Sequence, residues 1–175
     1  PAPGAAARAA GKTVLGFVGG PGETKGWELV RAFMQRAKAD AARADGVHMV
    51  LYDVGRSINT PWYPGMQQPG ITIADAFHWS FAGHAMGQLD TLLMPSRVRE
   101  SFGLAAREIL SLGGSALVRR SGALAELEGY AGVVTAEDGD SVDDLLDRLV
   151  NSSGPDRRDW PVTSIPDYVE RLLSL

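Results

Sequence analysis

Short, continuously apolar runs alternate along the chain with stretches whose apolar residues recur every three or four positions. The first run, TVLGFVGG over residues 13–20, is closed by glycines and predicts a buried strand. Over residues 27–44, Val30, Phe33, Met34, Ala37 and Ala41 fall on one helical face, while Arg31, Gln35, Arg36 and Lys38 take the other. VHMVLYDVG at 47–55 and ITIA at 71–74 predict two more strands, and DTLLM, SALVRR and AGVVTA predict the next three. Helices are expected at FHWSFAGHAMGQ, at SFGLAAREILSLGG with its glycine stop, at the short SGALAELEG, and at SVDDLLDRLV. The last of these opens on Ser141 with Asp144 three residues on, a capping-box arrangement.

Strand and helix therefore alternate about six times, with strands apolar on both sides. That pattern predicts an α/β fold: a Rossmann-like, doubly wound parallel sheet of about six strands with helices on both faces. Such sheets hold ligands at the carboxyl ends of their strands, which directs attention to the loops after Val18, Asp53, Met94 and Val118. Residues 56–70 carry three prolines and two glycines, so a long loop is expected there, of the kind that is functional or mobile.

The chain divides into three parts. Residues 1–12, PAPGAAARAAGK, have the composition of an unstructured linker or the remnant of a longer chain, and residues 13–160 form the domain. Residues 161–175 contain a helix at 166–173 whose apolar face, Tyr168, Val169, Leu172 and Leu173, packs here or on a further domain.

Composition narrows the function. At 175 residues and 45% hydrophobic the chain suits one core, and its net charge of -4 argues against nucleic acid as a partner, so any polyanion must be met by local cations. With no cysteine there are no disulfides, thiolate nucleophiles or cysteine-based metal sites, and His48, His78 and His84 are too scattered for a metal cage. No apolar run reaches the roughly 18–20 residues of a transmembrane helix.

Two stretches carry candidate chemistry. GGPGETKG, residues 19–26, joins the first strand to its helix: Gly19 and Gly20 let a ligand approach the backbone, and Lys25 supplies a cation. The order is that of neither a Walker A loop nor the dinucleotide fingerprint, and a plain turn with a solvated lysine is an equal reading. In PSRVRESFGLAAREIL, a helix starting near Phe102 would present the amides of Phe102, Gly103 and Leu104 to an anion, with Glu100 before it and Glu108 within it. Carboxylates accept from vicinal diols and amides donate to phosphates, so the layout suits a sugar nucleotide; alternatively both glutamates are solvated or paired with Arg97, Arg99 or Arg107. Asp138-Gly139-Asp140 reads as a turn with favourable charge before a helix, not as a metal motif. Phe77, His78 and Trp79 have faces that can stack on a base, although core packing is the commoner use of an aromatic, and His48 reads as a core histidine.

In this order FVGGPGETKGWELVRAF, DTLLMPSRVRESFGLAAREILSLGGSALVRRSGALAELEG and AGVVTAEDGDSVDDLLDRL resemble the C-terminal, donor-binding half of a family 4 retaining glycosyltransferase of the GT-B fold. The resemblance covers roughly residues 13–150, and the glutamates around SFGLAAR are its most specific part. It implies that Glu108 binds the ribose hydroxyls and that Lys25 binds the diphosphate. It further implies that Glu100, the candidate catalytic carboxylate, holds the donor sugar and phosphates together with the backbone of Ser101, Phe102, Gly103 and Leu104.

The donor would be a UDP- or GDP-sugar, with no metal and no tightly bound cofactor. The acceptor would sit on a missing N-terminal domain, leaving this fragment inactive alone. A cytoplasmic enzyme is implied, with docking at the inner membrane face open. Many members carry an arginine near the position of Gly20, for which Arg56, Arg119 and Arg120 are substitutes, and a Gly-Gly pair where this chain has Ser121-Gly122. The alternatives are a GT-B-like epimerase or phosphorylase half, or a non-catalytic flavodoxin-like regulatory domain.

Overall fold

The computed structural model of the protein describes residues 2–54, 67–78 and 81–152. One sheet contains β1 (Thr13–Val18), β2 (Val47–Tyr52), β3 (Gln67–Gln68), β4 (Ile71–Ala74), β5 (Thr91–Met94), β6 (Ser115–Val118) and β7 (Val133–Thr135). Their order is β3-β4-β2-β1-β5-β6-β7. All pairings are parallel except that of β3, which runs antiparallel to β4 at the edge. Apart from this edge pair, the sheet is the Rossmann-like, doubly wound parallel sheet that the alternation predicts. Strand β3 lies in a segment expected to be loop; two glutamines carry no apolar signal, and only the ladder with β4 makes them a strand.

Helices α2 (Trp27–Ala39) and α5 (Val142–Asn151) cover one face, while α3 (Ala82–Met86) and α4 (Leu104–Ser111) cover the other. The period of two in each strand divides the core accordingly. Leu15, Phe17, Met49 and Leu51 pack with Val30, Phe33 and Leu145, whereas Val14, Val50, Tyr52 and Leu92 pack with Met86, Ile109 and Leu110. Each such side chain stabilises the fold by about 1.5–3 kcal/mol when fully buried. Helix α2 buries Val30, Phe33, Met34 and Ala37 as its periodicity requires, but it stops before residue 44. The helix ends at Asp40, whose carboxylate accepts from Arg36 Nε at 2.8 Å and from the Val47 amide at 3.3 Å. At α5 Ser141 is the N-cap expected, with Asp144 N donating to Ser141 Oγ at 3.1 Å, while the Asp144 carboxylate accepts from Ser141 Oγ at 2.7 Å.

Two expectations change. The stretch 1–12 is not all unstructured: Ala5–Ala9 form a helix, α1. Alanine is the strongest helix former, yet five residues are too few to hold a helix alone, so tertiary anchors decide. Arg8 pairs with Asp90 at 3.4 Å, and Lys12 Nζ donates to the Ala41 carbonyl at 2.6 Å. SGALAELEG contains only a single 3-10 turn, Ala125–Leu127. Most of the proline-rich loop and the helix expected at 166–173, with the whole of residues 161–175, lie outside the described residues.

Candidate functional site

From β1 the chain winds outward to β2 and β4, then returns to β5 on the other side of β1. The winding reverses between β1 and β5, the position where open α/β sheets form their ligand crevice. Both stretches with candidate chemistry leave the sheet there, one from each strand.

The structure joins them. Glu23–Lys25 form a 3-10 turn after β1, and the Thr24 carbonyl accepts from the Arg97 amide at 2.9 Å and from Ser96 Oγ at 3.2 Å. Gly26 caps α2 in the left-handed region at φ 68, and a Cβ there would lie 2.0 Å from the Pro95 carbonyl oxygen. Lys25 Nζ reaches Glu100 Oε1 at 2.7 Å. The loop after β6 adds a third layer: the Ala123 amide donates to the Glu100 carbonyl at 2.8 Å, and Ser121 Oγ donates to the Val98 carbonyl. Gly122 runs beside Glu100, whose carbonyl oxygen would be 2.4 Å from any Cβ at 122. Three loops thus form one rim around Lys25 and Glu100.

The remaining sequence-derived candidates lie in the loops after β1 and β5 and on α4. A Cβ on Gly19 or Gly20 would meet no atom within 4 Å, so the backbone after β1 is open to approach. Ser101 is exposed, as are Phe102 at 74% and Leu104 at 51%. Helix α4 starts at Leu104, not near Phe102, with Gly103 as its left-handed N-cap and no side-chain cap. The first intrahelical bond runs from Arg107 N to the Gly103 carbonyl, so the amides without an intrahelical acceptor are those of Leu104, Ala105 and Ala106. Glu108 is 8% exposed, one turn beyond Leu104 on the same helical stripe.

Electrostatics sort the cations. Burial of Glu100 favours its neutral form, but hydrogen bonds from Lys25 and Ser96 and the lysine charge outweigh that and hold its pKa below the usual carboxylate value. The pairing of glutamates with nearby arginines takes another form: Arg97 pairs with Glu28, Arg107 with Glu126, and Glu100 with Lys25. Of the substitutes for an arginine near Gly20, Arg56 lies outside the described residues. Arg120 is held by Glu128 and Glu137. Arg119, 16% exposed, pairs with Asp138 at 2.6 Å and Glu28 at 3.5 Å and has a buried Nε without a partner.

Asp138 and Asp140 serve the turn, as Asp140 Oδ2 accepts from the Glu137 amide at 2.7 Å and pairs with Arg148. Phe77 packs edge-on against Tyr52 and lines a cavity of about 760 Å³ beside α1 and α3, which none of residues 19–26 or 95–108 lines. Trp79 lies outside the described residues. His48 sits in β2 with Nε2 2.9 Å from Thr72 Oγ1. Sequence reasoning did not find Ser96, the Thr24 carbonyl or the packing role of Gly26. Only the Pro-Ser turn after an apolar run signals the first, since the contacts join loops distant in sequence. Among the described residues no cluster of histidine and carboxylate side chains is gathered to hold a metal.

No protein-family model and no curated protein matches the chain. Solved structures do. The catalytic domain of starch synthase IV from Arabidopsis thaliana, bound to ADP and acarbose, superposes with a TM-score of 0.58 at 16% identity over 98% of this chain and 38% of that one. Anabaena HepE in complex with UDP gives 0.56 at 16% identity, over 83% of this chain and 40% of that one. An α,α-trehalose-phosphate synthase (UDP-forming) from Burkholderia xenovorans, in complex with glucose-6-phosphate, gives 0.53 at 18% identity, over 95% of this chain and 40% of that one. The chain has the fold of one half of a GT-B glycosyltransferase. It spans about two fifths of the length of these structures.

Proposed function

We propose that this chain is the donor-binding half of a retaining, family 4-like glycosyltransferase that uses a UDP- or GDP-sugar. The observation that carries the reading is the pairing of Lys25 with Glu100 at the switch point of the sheet, four residues before the uncapped start of α4. Structures named as complexes with UDP or ADP share the fold, which supports a nucleotide ligand.

In this reading Lys25 and the amides of Leu104, Ala105 and Ala106 face the diphosphate, and Arg119, released from Asp138 or Glu28, is the second cation. Glu108 accepts from the ribose hydroxyls, and Glu100 accepts from the donor sugar. During transfer the bond between the anomeric carbon and the phosphate oxygen breaks, a bond to the acceptor oxygen forms on the same face, and the acceptor proton passes to the departing phosphate oxygen. Negative charge then develops on the departing diphosphate, where fixed donors stabilise it without reorganisation and without a metal. The acceptor belongs to a second, N-terminal half, so the chain alone binds donor and transfers nothing. The whole enzyme works in the cytoplasm, where its acceptor half can dock at the membrane face; among the described residues no helix is long and apolar enough to cross a membrane.

Calorimetric titration with UDP, GDP and their sugars tests the reading. Weak binding of one nucleotide family is expected, reduced about tenfold or more in Glu108→Ala, in line with the loss of charge-assisted hydrogen bonds. No heat with any nucleotide at millimolar concentration would overturn it.

A further inference from the structure

The cation expected to meet the diphosphate is already paired. Lys25 Nζ lies 2.7 Å from Glu100 Oε1, and the lysine side chain is 43% exposed against 19% for the glutamate. Surface ion pairs between two flexible side chains are often weak and transient. This one is built on anchored backbones. Lys25 N donates to the Gly22 carbonyl at 3.0 Å, the next residue is wedged against Pro95, and the preceding carbonyl is held by Ser96 and Arg97. Opposite it, Glu100 is fixed by the Ala123 amide and by its bridge to Gly122. The carboxylate is therefore presented to the lysine by three loops, and its lowered pKa keeps it charged at neutral pH.

A phosphate arriving at Lys25 meets this carboxylate as a like charge in a partly desolvated place, where repulsion is stronger than in water. The two classes of ligand differ at that point. A bare nucleoside diphosphate ends in a terminal phosphate bearing extra negative charge. A nucleotide sugar replaces that charge with an ester and carries hydroxyls, which donate to a carboxylate.

We infer that Glu100 is a charge filter: by competing for Lys25 it weakens the binding of bare nucleoside diphosphate and spares the sugar-bearing donor. The inference rests on the donor-site reading above and deepens it. A domain built this way favours loaded donor over spent product and assists product release once the sugar has left.

The test compares the intact chain with Glu100→Gln, which keeps the shape and removes the charge, and with Glu100→Ala as a second variant. Affinities for UDP and UDP-glucose, or for GDP and GDP-mannose if the wild type prefers guanine, are measured by calorimetry at fixed ionic strength, with thermal melts to confirm folding. In both variants the bare diphosphate should bind about five- to tenfold more tightly, while the nucleotide sugar gains nothing or loses. The preference for sugar-bearing ligand should fall by at least that factor. Lys25→Met should weaken the bare diphosphate and shrink the gain from Glu100→Gln. If the wild type binds nucleotide but removing the Glu100 charge leaves diphosphate affinity unchanged or reduced, the filter is refuted and the donor-site reading stands. If the wild type binds no nucleotide, both fall together.

Discussion

Gly26 and Gly20 stand in the same loop and look alike in sequence, yet their surroundings predict opposite responses to one added methyl group. At Gly26 the backbone is left-handed and the new Cβ would lie 2.0 Å from the carbonyl oxygen of Pro95, a backbone atom that cannot swing aside. Gly26→Ala should cost about 2–3 kcal/mol or more, read as a lower urea midpoint. At Gly20 nothing lies within 4 Å of the built Cβ, and Gly20→Ala should stay within about 0.5 kcal/mol while narrowing the open approach to the loop. Equal losses for the two would show that the β1 and β5 loops are not wedged together. The residue types were legible in the sequence: a glycine-rich turn with a lysine, and two glutamates flanking a helix start. Their partners were not. Lys25 and Glu100 are far apart along the chain, and no local pattern distinguishes a lysine that meets a glutamate from one that meets water.

At the scale of elements, legibility followed burial. Strands β1, β2, β4, β5, β6 and β7 stand where the apolar runs predict them, because a parallel strand covered on both faces must be apolar throughout. Elements held by tertiary anchors alone escaped notice, and α1 is the instructive case. Its Ala/Gly/Pro-rich surroundings resemble a linker, but Arg8 and Lys12 fasten the segment to the end of the sheet. Lys12 also bears on His48 in β2. Burial depresses the His48 pKa and the lysine charge depresses it further.

The folded value thus lies below that of the unfolded chain, about 6.5. As the pH falls past that value the unfolded state takes up the proton first, so the stability contributed by neutral His48 is present above it and lost below it. Below about pH 6.5, wild-type stability should fall as the pH drops and this group's contribution is lost. His48→Gln, which can still meet Thr72, should flatten that slope in urea melts at stepped pH. Parallel slopes for the two proteins would assign the acid sensitivity elsewhere.

Over the whole molecule, the described arginines of the sheet's carboxyl rim are mostly committed. Arg97, Arg119, Arg120 and Arg148 each pair with carboxylates of the rim loops or of α2, so among the described residues the net charge of -4 is not offset by a broad basic surface. Under the proposed function, recognition of the diphosphate then falls to a few local groups, and a ligand held from one side alone is held weakly. Solved structures of the same fold are about two to two and a half times as long, and the rim that carries Lys25 and Glu100 is the edge at which an open α/β sheet receives its ligand.

Under the proposed donor-half reading, the chain alone would stabilise a leaving diphosphate but neither hold the acceptor in line nor exclude water, and positioning contributes a large share of such rate enhancements. Incubated with radiolabelled UDP-glucose or GDP-mannose and a panel of sugar acceptors, the chain should bind donor yet release labelled sugar no faster than buffer does. Donor hydrolysis well above background that is lost in Glu100→Gln would mean that the catalytic constellation is complete within these 175 residues, and would overturn the two-half reading.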